Sequence, residues 1–353
     1  MSSGLVYVDK KLIYDLSFKE IQDFVFLSGF KRYCADQIWS FLYRRKVKSF
    51  FDMHNLPNQL IQLLEEKYHF KALEYVLHHK SADKTTKFLF SLKDKHLIEV
   101  VLMYQYYGIS ICVTTQVGCN IGCSFCASGQ LSKKRNLTSG EIVCQILEAE
   151  RLSKQKVKHV VVMGIGEPFD NFDHLKKFLF VINNNKGISI GARHITVSTS
   201  GIVPKILSFS KLGIQVNLAI SLHAADDTTR SKLMRINNVY GVEKLINAVR
   251  EYVKVTNRRV TFEYIMIDGV NDSIESAVSL VNLIKDIKSY VNLIPYNQVI
   301  EAPYKRSKIE NMNKFYDILK KNKIQVTLRK EMGHDINAAC GQLRSQHSKN
   351  INL

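Results

Sequence analysis

Short apolar runs alternate with segments of helical period from Ile111 to Leu328, and this alternation limits the possible folds more than any other feature of the sequence. The apolar runs lie at residues 111–117, 160–163, 195–198, 216–222, 260–266, 291–295 and 326–328. The helical segments lie around residues 139–153, 172–183, 242–255, 274–288 and 307–321. Successive strand–helix units build a parallel sheet with helices packed against it. We therefore predict an α/β fold, and the periodicity leaves open whether the sheet closes.

The residues before this core have other patterns. Ser17 and Glu20 form a capping-box sequence at the start of a helical segment, and further helical segments run from about 32 to 45 and within 59 to 68. The residues that follow alternate and are rich in Val, Ile, Phe and Tyr, as in a β meander. The predicted organisation is a helical domain at 1–75, a β-rich connecting segment at 76–110, the core at 111–345 and a basic, polar tail at 346–353.

The charge of the chain restricts its partners. Fifty Lys and Arg residues against thirty-two Asp and Glu residues give a formal net charge of +18, which favours a polyanionic partner, either nucleic acid or an anionic membrane surface. No apolar run approaches the ~20 residues that a spanning helix needs. Asp9, Lys10 and Lys11 place charge where a signal peptide would need its apolar segment. Seven cysteines, an odd number, suit a reducing compartment, so we predict a cytoplasmic protein.

Three closely spaced cysteines, Cys119, Cys123 and Cys126, carry the strongest chemical signal. Thiolates at this spacing can bind three irons of a cubane cluster and leave the fourth iron open, whereas most clusters are closed by four thiolates. The alternatives are a zinc site and a redox-active cysteine pair. Zinc would need a fourth protein ligand close by, and residues 127–130 read Ala-Ser-Gly-Gln. The spacing therefore favours a cluster whose open iron binds a substrate.

Polar or glycine-containing segments follow several of the predicted strands. They lie at residues 164–168, 198–201, 221–223 and 296–297. In parallel α/β folds the active site gathers at the carboxyl ends of the strands. We therefore expect these segments to share one site.

The cysteine triplet, with Phe125 just before its last member, resembles the signature of radical S-adenosylmethionine (SAM) enzymes. Between about residues 97 and 343, nine stretches occur in an order that resembles the RlmN/Cfr family of radical SAM RNA adenine methyltransferases. They are TTQVGCNIGCSFCASGQ, RNLTSGEIV, VVVMGIGEP, RHITVSTSGIVPKI, VNLAISLHA, RSKLMRIN, VTFEYIMIDGVND, VNLIPYN and DINAACGQL. The resemblance implies a partial (β/α)6 radical SAM barrel behind a small helical RNA-binding domain.

The same resemblance implies the cofactors, the partners and the reaction. The cofactors are one 4Fe-4S cluster, bound by the cysteine triplet, and SAM, of which two molecules are used per turnover. The reaction is C2 methylation of an adenosine in the peptidyl-transferase centre of 23S rRNA and of the adenosine 3′ of the anticodon in certain tRNAs. The enzyme would be a monomer that takes electrons from an external donor such as flavodoxin or ferredoxin.

The chemistry explains why such an enzyme needs extra thiols. C2 of adenine lies between two ring nitrogens and is too electron-poor to attack the methyl group of SAM. In the family's mechanism one SAM methylates a cysteine that matches Cys340, and a radical derived from a second SAM removes hydrogen from that methyl group, which then adds at C2. Cys112 matches the thiol that attacks the Cys340 sulfur to form a transient disulfide, and Glu99 matches the base that removes the C2 proton.

The resemblance also assigns the residues that contact SAM. They are Gly166, Glu167, Ser198, Ser221, Leu222, His223 and Asn297. Cys34 and Cys144 match no motif, and we interpret both as packing residues. Arg193 and the pair at 329–330 flank strands, where they could reach RNA phosphates or be ordinary surface charge.

Two other functions remain open. The Cfr branch of the family methylates C8 of the same rRNA adenosine with the same cysteines, and Pro168 followed by Phe-Asp-Asn171 favours the C2 branch. The second alternative is a non-catalytic iron–sulfur RNA-binding factor, for which Cys112 and Cys340 would be dispensable and SAM would not bind.

Overall fold

Residues 10–300 and 302–343 are described by the structure, a computed structural model. The start of the chain up to Asp9 and the predicted tail at 346–353 lie outside the described residues. No helix within the described ranges is both long enough and apolar enough to cross a membrane.

A ten-stranded sheet forms the centre of the molecule, and its parallel part is built in chain order. The parallel strands are Gly108–Cys112, His159–Val162, Ile195–Thr199, Asn217–Ser221, Val260–Met266, Ser289–Pro295 and Val326–Leu328. Each strand pairs with the next one along the chain, as in the wall of a barrel. The two edge strands of this sheet are not paired with each other in the described part of the chain, so the barrel is partial, as expected.

Helices connect the parallel strands. They are Ser139–Ser153, Phe172–Asn183, Val203–Ser210, Asp227–Leu233, Val242–Thr256, Ile274–Ile284 and Ile309–Lys321. Their starts carry polar caps: Thr138 and Glu141 form a capping box, and the hydroxyl of Ser273 accepts a hydrogen bond from the backbone of Ser276. The helices at 203–210 and 227–233 are missing from the prediction because seven or eight residues are too few for a helical period to stand out.

The predicted strand at 111–117 ends earlier in the structure. The strand itself is Gly108–Cys112, and Gln116–Val117 belongs to a separate two-stranded sheet with Arg135–Asn136. Between them the backbone N–H of Thr114 donates to the side chain of Gln145 at 2.8 Å. This side-chain partner replaces a neighbouring strand, so the chain leaves the sheet after Cys112 and is free to lead into the cysteine triplet.

Three antiparallel strands extend the same sheet on the other side. They are Leu73–Lys80, Thr86–Leu92 and Leu97–Gln105, and the last of them pairs with Gly108–Cys112. Val101 is the register partner of Cys112, which in turn is the partner of Val161. Side chains of directly paired residues lie on the same face of a sheet, so these three side chains share the face that turns toward the barrel interior.

The N-terminal part is helical and packs on the barrel. Its helices are Phe18–Leu27, Tyr33–Ser40 and Asn58–Lys67, and Lys11–Leu12 pairs with Tyr68–His69 in a small parallel sheet. The predicted helix at 32–45 changes at Phe41 to a turn of π-helix and stops at Lys46, whose φ is 53°. Asp15 accepts hydrogen bonds from the Gly140 backbone at 2.7 Å and the Ser139 hydroxyl at 3.2 Å. These bonds join the N-terminal part to the first barrel helix.

Candidate active site

A cavity lies at the carboxyl ends of the parallel strands, and most of the residues singled out from the sequence line it. The predicted site residues on its wall are Cys112, Cys119, Cys123, Cys126, Gly166, Glu167, Ser198, Ser221, His223 and Cys340. Glu99, Leu222 and Asn297 are not on that wall. The fold therefore brings the two predicted catalytic cysteines and the cysteine triplet, from distant parts of the chain, to one site.

The loop that carries the cysteine triplet is shaped by glycines. Gly118 has a φ of +77°, and a Cβ at this position would lie 2.3 Å from the carbonyl oxygen of Ser132. A Cβ on Gly129 would lie 2.6 Å from the carbonyl oxygen of Cys123. Any larger residue would push the loop open. The tight fold is what lets three nearby cysteines point into the same cavity.

Phe125, the aromatic residue before the last cysteine, anchors this loop. It is buried in a small apolar cluster with Met234 and Ile265, and the edge of its ring contacts His223, with ring centroids 5.0 Å apart. The backbone N–H of Ser124 also donates to the carbonyl of Leu233 at 3.0 Å. The aromatic residue therefore ties the cysteine loop to the strand ends.

The donor set fits an iron–sulfur cluster. Burial raises the pKa of all three thiols, that of Cys119 to about 12, so three thiolates would need positive charge between them to coexist here. Within residues 10–300 and 302–343 there is no group of three His, Cys, Asp or Glu side chains that could hold a single metal ion. A cubane cluster makes no such demand because each thiolate binds a different iron.

Glu167 is a buried carboxylate that is held at three points. Its Oε1 accepts hydrogen bonds from the hydroxyl of Thr199 at 2.7 Å and the backbone of Phe169 at 2.9 Å, and its Oε2 accepts one from the backbone of Ser200 at 2.7 Å. Burial raises the pKa of this carboxyl group, and the hydrogen bonds oppose the rise. A carboxylate can accept about four hydrogen bonds, so one position remains for an ammonium group in the cavity.

Gly166 precedes this carboxylate in a backbone conformation that glycine adopts best. Its φ is +105°, and a Cβ here would lie 2.6 Å from the Cβ of Gln116. The side chain of Gln116 accepts a hydrogen bond from the Glu167 backbone at 2.9 Å. The glycine thus allows the close packing that orients Glu167.

Unsatisfied polar atoms around the cavity indicate that a ligand belongs there. The hydroxyls of Ser198 and Ser221 are 3.4 Å apart. Ser200 Oγ on the cavity wall and Asn297 Oδ1, in a small adjoining cavity that Cys340 also lines, are buried and have no hydrogen-bond partner among the described residues. Buried polar atoms are nearly always paired in folded proteins. A polar ligand such as SAM would supply the missing partners, so these residues fit the cofactor.

His223 is neutral and its orientation is fixed. Its Nδ1 accepts a hydrogen bond from the backbone of Ile265 at 3.1 Å, so the ring proton lies on Nε2. Burial lowers the pKa of His223 to about 3, and the nearby Arg230 lowers it further in the same direction. His223 therefore presents a neutral ring, with one N–H donor, to the cavity.

The C-terminal segment closes the cavity and carries Cys340. The carbonyl of Gly341 accepts a hydrogen bond from the backbone of Ala127 at 2.8 Å, and the carbonyl of Leu343 accepts one from the hydroxyl of Ser128 at 2.7 Å. Both donors belong to the loop just after the cysteine triplet. Cys340 exposes its side chain, and it does so on the cavity wall. These bonds hold Cys340 over the cavity.

Glu99 is buried, whereas its strand pattern alone would suggest a solvent-facing carboxylate. Only 3% of its surface is exposed, and it forms an ion pair with Lys87 at 3.2 Å. The ammonium of Lys87 also donates to the carbonyl of Asn337 in the C-terminal segment at 3.2 Å. Glu99 lies two residues before Val101 on the same face of its strand, next to the cavity but not on its wall.

Arg230 is a buried residue of the site that the sequence analysis does not single out. Its guanidinium donates to the carbonyls of Ser200 at 2.7 Å and Leu222 at 3.1 Å. Burial lowers its pKa to about 10, and the charge of Cys123 opposes that shift. Arg230 therefore ties neighbouring strand ends together behind the cysteine loop. Its place in the stretch RSKLMRIN is the signal that could have identified it.

Of the pair at 329–330, Lys330 is exposed, whereas Arg329 is not an ordinary surface charge. Its backbone N–H donates to the carbonyl of Leu293 at 2.8 Å, which continues the last strand, and its side chain lines the cavity together with Glu263. Arg193 is exposed as expected. Glu263 is also missing from the prediction, although a carboxylate inside the apolar run at 260–266 is a detectable signal.

The two cysteines that match no motif are both buried. Cys34 and Cys144 lie in helices of the N-terminal part and the barrel. Neither lines the cavity. The interpretation of both as packing residues agrees with this placement.

Comparisons with known proteins agree with this geometry. Residues 113–281 match the model of the radical SAM superfamily, and residues 12–69 match that of the ribosomal RNA large subunit methyltransferase N-terminal domain. A protein of Acholeplasma laidlawii named "Probable dual-specificity RNA methyltransferase RlmN" is 59% identical, over 95% of this chain and 99% of its own length. A protein of Enterococcus faecalis with the same name is 54% identical, over 97% of this chain and 98% of its own length.

A solved structure shares the whole fold. The crystal structure of a radical SAM methyltransferase from Sphaerobacter thermophilus superposes with a TM-score of 0.92 and 41% sequence identity. The match covers 95% of this chain and all of that chain.

Proposed function

The chain belongs to the RlmN family of radical SAM RNA methyltransferases, and we propose that it methylates C2 of an adenosine in both ribosomal and transfer RNA. The proposed targets are an adenosine of the peptidyl-transferase centre of 23S rRNA and the adenosine 3′ of the anticodon in tRNA. One observation carries the proposal: Cys112 and Cys340 line the same cavity as the cysteine triplet. A cluster-binding protein without this reaction would have no need of two further thiols there.

The cofactors of the chain are those of its superfamily, a 4Fe-4S cluster and SAM. Cys119, Cys123 and Cys126 would hold the cluster, and the free acceptor position of Glu167 would receive the ammonium group of SAM. Ser200 Oγ and Asn297 Oδ1, which have no partner among the described residues, would bind its remaining polar groups. When bound, these cofactors supply the methyl group and the radical that removes hydrogen from it.

The chain's own residues perform the other steps. Cys340 carries the methyl carbon, and the C-terminal segment positions it over the cavity. Cys112 faces the same space from the strand beside Val101, where it can attack the Cys340 sulfur and release the RNA. Glu99 is the proposed acceptor of the C2 proton, because its buried carboxylate lies on the same strand face as Val101 and is oriented by Lys87.

The target base must be extruded to reach this site. An adenine within a stack cannot enter a cavity at the end of a barrel, so the RNA must present an unpaired or flipped base. The N-terminal part is the proposed RNA-binding domain, and exposed basic residues such as Arg32, Arg45 and Lys48 would contact phosphates. We further propose that the enzyme is a cytoplasmic monomer that uses flavodoxin or ferredoxin as its electron donor.

Nucleoside analysis tests the proposed function. Anaerobically reconstituted protein is incubated with SAM, reductant and either 23S rRNA or tRNA, and the digested RNA is examined by mass spectrometry. We expect 2-methyladenosine in both RNAs from the unmodified enzyme and none from Cys340→Ala. 8-Methyladenosine would instead assign the enzyme to the Cfr reaction. Absence of any methyladenosine despite an intact cluster and bound SAM would contradict both.

A further inference from the structure

We propose that Arg329 is the cation that stabilises the Cys112 thiolate when it attacks the Cys340 sulfur, and that Glu263 positions the Arg329 guanidinium. This inference deepens the proposed function and rests on it. No part of the mechanism above assigns a role to either charged residue. Both nevertheless line the cavity that holds the two thiols.

The strand register explains how these groups meet. Cys112 ends the first parallel strand, whereas Arg329 continues the last one through its bond to Leu293. Because the sheet curves into a partial barrel, these distant strands line one cavity. Glu263 pairs in register with Ser221, which also lines the cavity. The four groups, two thiols, a guanidinium and a carboxylate, therefore face each other across the barrel interior.

The charges act on Cys112 in opposite directions. Burial raises the pKa of the Cys112 thiol to about 12, the charge of Cys340 raises it as well, and Arg329 lowers it. Burial alone would lower the pKa of Arg329, but Cys340, Glu263 and Cys112 together raise it above its usual value. Arg329 thus stays protonated in the cavity. It favours the thiolate form of Cys112, as a backbone hydrogen bond at Met163 also does, and it lowers the pKa of the Cys340 thiol as well.

Glu263 is fixed in turn by a neutral neighbour. The side-chain amide of Asn292 donates to Glu263 Oε2 at 2.8 Å. Burial raises the pKa of Glu263. The positive charge of Arg329 opposes this rise, and the hydrogen bond from Asn292 opposes it to a smaller extent. A buried carboxylate of this kind is costly unless it is paired. The charge of Arg329 and the hydrogen bond from Asn292 are what oppose that cost here.

The release step is where this cation matters. The Cys112 thiolate supplies the electron pair of the new S–S bond, and the bond from the Cys340 sulfur to carbon breaks. The electron pair of that bond stays with the departing carbon, which takes up a proton from solvent to become the methyl group. Only the thiolate is nucleophilic enough for this attack. While Cys340 carries the carbon it has no charge, so Cys112 is then the thiol that interacts with Arg329. The guanidinium therefore favours ionisation of the attacking sulfur.

The rate of Cys112 alkylation measures this effect without RNA or turnover. Cluster-loaded protein is treated anaerobically with iodoacetamide at several pH values below the pKa of Cys112, and the labelled peptide is quantified by mass spectrometry. In this range the rate is proportional to the thiolate fraction. We expect Arg329→Gln to slow labelling roughly tenfold at each pH, which corresponds to a rise of about one unit in the pKa of Cys112. Arg329→Lys should restore most of the rate.

Two further variants separate charge from structure. Arg259→Gln is the control, because Arg259 does not line the catalytic cavity. Its guanidinium contacts the ring of Tyr290 and donates to the side chain of Gln325 at 2.9 Å. Cys112 in this variant should be labelled at the same rate as in the unmodified protein. Glu263→Ala should slow labelling about threefold by releasing the guanidinium. Faster labelling in Glu263→Ala would overturn the positioning role.

The outcomes also distinguish this inference from the proposed function. Unchanged or faster labelling in Arg329→Gln would overturn the role of the cation. If Arg329 only filled space, the shorter side chain would open the cavity to iodoacetamide and labelling would not slow. The unmodified enzyme could still produce 2-methyladenosine in that case. Conversely, slower labelling together with no methyladenosine would leave the electrostatic relationship intact and refute the proposed reaction.

Discussion

The side-chain amide of Asn297 donates a hydrogen bond to the backbone carbonyl of Cys340, with 3.2 Å between nitrogen and oxygen. The other end of the same side chain, Oδ1, is buried and has no partner within the described part of the chain. One residue therefore holds the segment of the proposed methyl carrier and offers an acceptor to a ligand. If Asn297 contacts SAM as proposed, cofactor binding and the position of Cys340 are coupled through it.

Loss of Asn297 should weaken SAM binding. We expect Asn297→Ala to lower SAM affinity roughly tenfold, the equivalent of one hydrogen bond of about 1.4 kcal/mol, as measured by equilibrium dialysis of cluster-loaded protein. Asn247→Ala is the control, because Asn247 is exposed on a helix, away from the cavity, and its side chain accepts a hydrogen bond from Arg250. Equal SAM affinity in the two variants would contradict the role of Asn297.

Gly166 should tolerate no side chain. Gly166→Ala brings a Cβ within 2.6 Å of Gln116 at a φ of +105°, and we expect the free energy of unfolding to fall by about 3 kcal/mol. Chemical denaturation measures this. Gly213→Ala is the matched control, because its φ is +71° with nothing within 4 Å of the new Cβ. It should cost only about 1 kcal/mol.

The two proposed catalytic thiols should give opposite phenotypes. If Cys112 releases the RNA as proposed, Cys112→Ala should accumulate a covalent complex between protein and RNA. Cys340→Ala should form none, because it lacks the carrier. Denaturing gel electrophoresis of reaction mixtures distinguishes the two. The buried Cys34 supplies the control, since Cys34→Ala should turn over normally. A covalent complex in Cys340→Ala would exclude Cys340 as the attachment point.

RNA affinity should depend steeply on salt, and SAM affinity should not. Raising salt from roughly 50 to 200 mM should weaken RNA binding by on the order of a thousandfold for about six contacted phosphates. The double variant Arg45→Gln with Lys48→Gln should reduce the slope of log affinity against log salt by about two, because two phosphate contacts are lost. Arg250→Gln, at an exposed residue paired with Asp286, should leave the slope unchanged. A flat salt series would refute electrostatic binding.

His223 should make stability sensitive to acid. Burial lowers its pKa from 6.5 to about 3 in the folded state, so the unfolded state binds more protons between these values. Stability from this residue is therefore complete above pH 6.5 and is lost as the pH falls toward 3, by about 3 kcal/mol at pH 4. Denaturation of His223→Gln should show a smaller loss between pH 7 and pH 4. The exposed His54 provides the control, His54→Gln, with an unchanged pH dependence.

The strands and long helices could be predicted because their periods extend over enough residues. The strand Val260–Met266 and the helix Ser139–Ser153 have the predicted bounds. The turn of π-helix at Phe41 could not be predicted, because it depends on packing against the barrel and not on a local pattern. Short helices such as Asp227–Leu233 could not be predicted, because seven residues are too few to show a helical period.

The charged interior of the barrel could not be predicted from local sequence. Which face of a strand turns inward at Glu263 or Arg329 follows from the register of the whole sheet, and register is a long-range property. Glu99 illustrates the same point, because the pattern of its strand does not reveal that Lys87 on the neighbouring strand is its partner. The cysteine triplet, in contrast, is local, and its chemistry could be inferred from spacing.

The bond from Ala127 to Gly341 has a consequence for how the enzyme is made. Ribosomes complete the cysteine loop long before they reach the C-terminal segment. The segment that contributes Cys340 is therefore the last part of the cavity wall to be made.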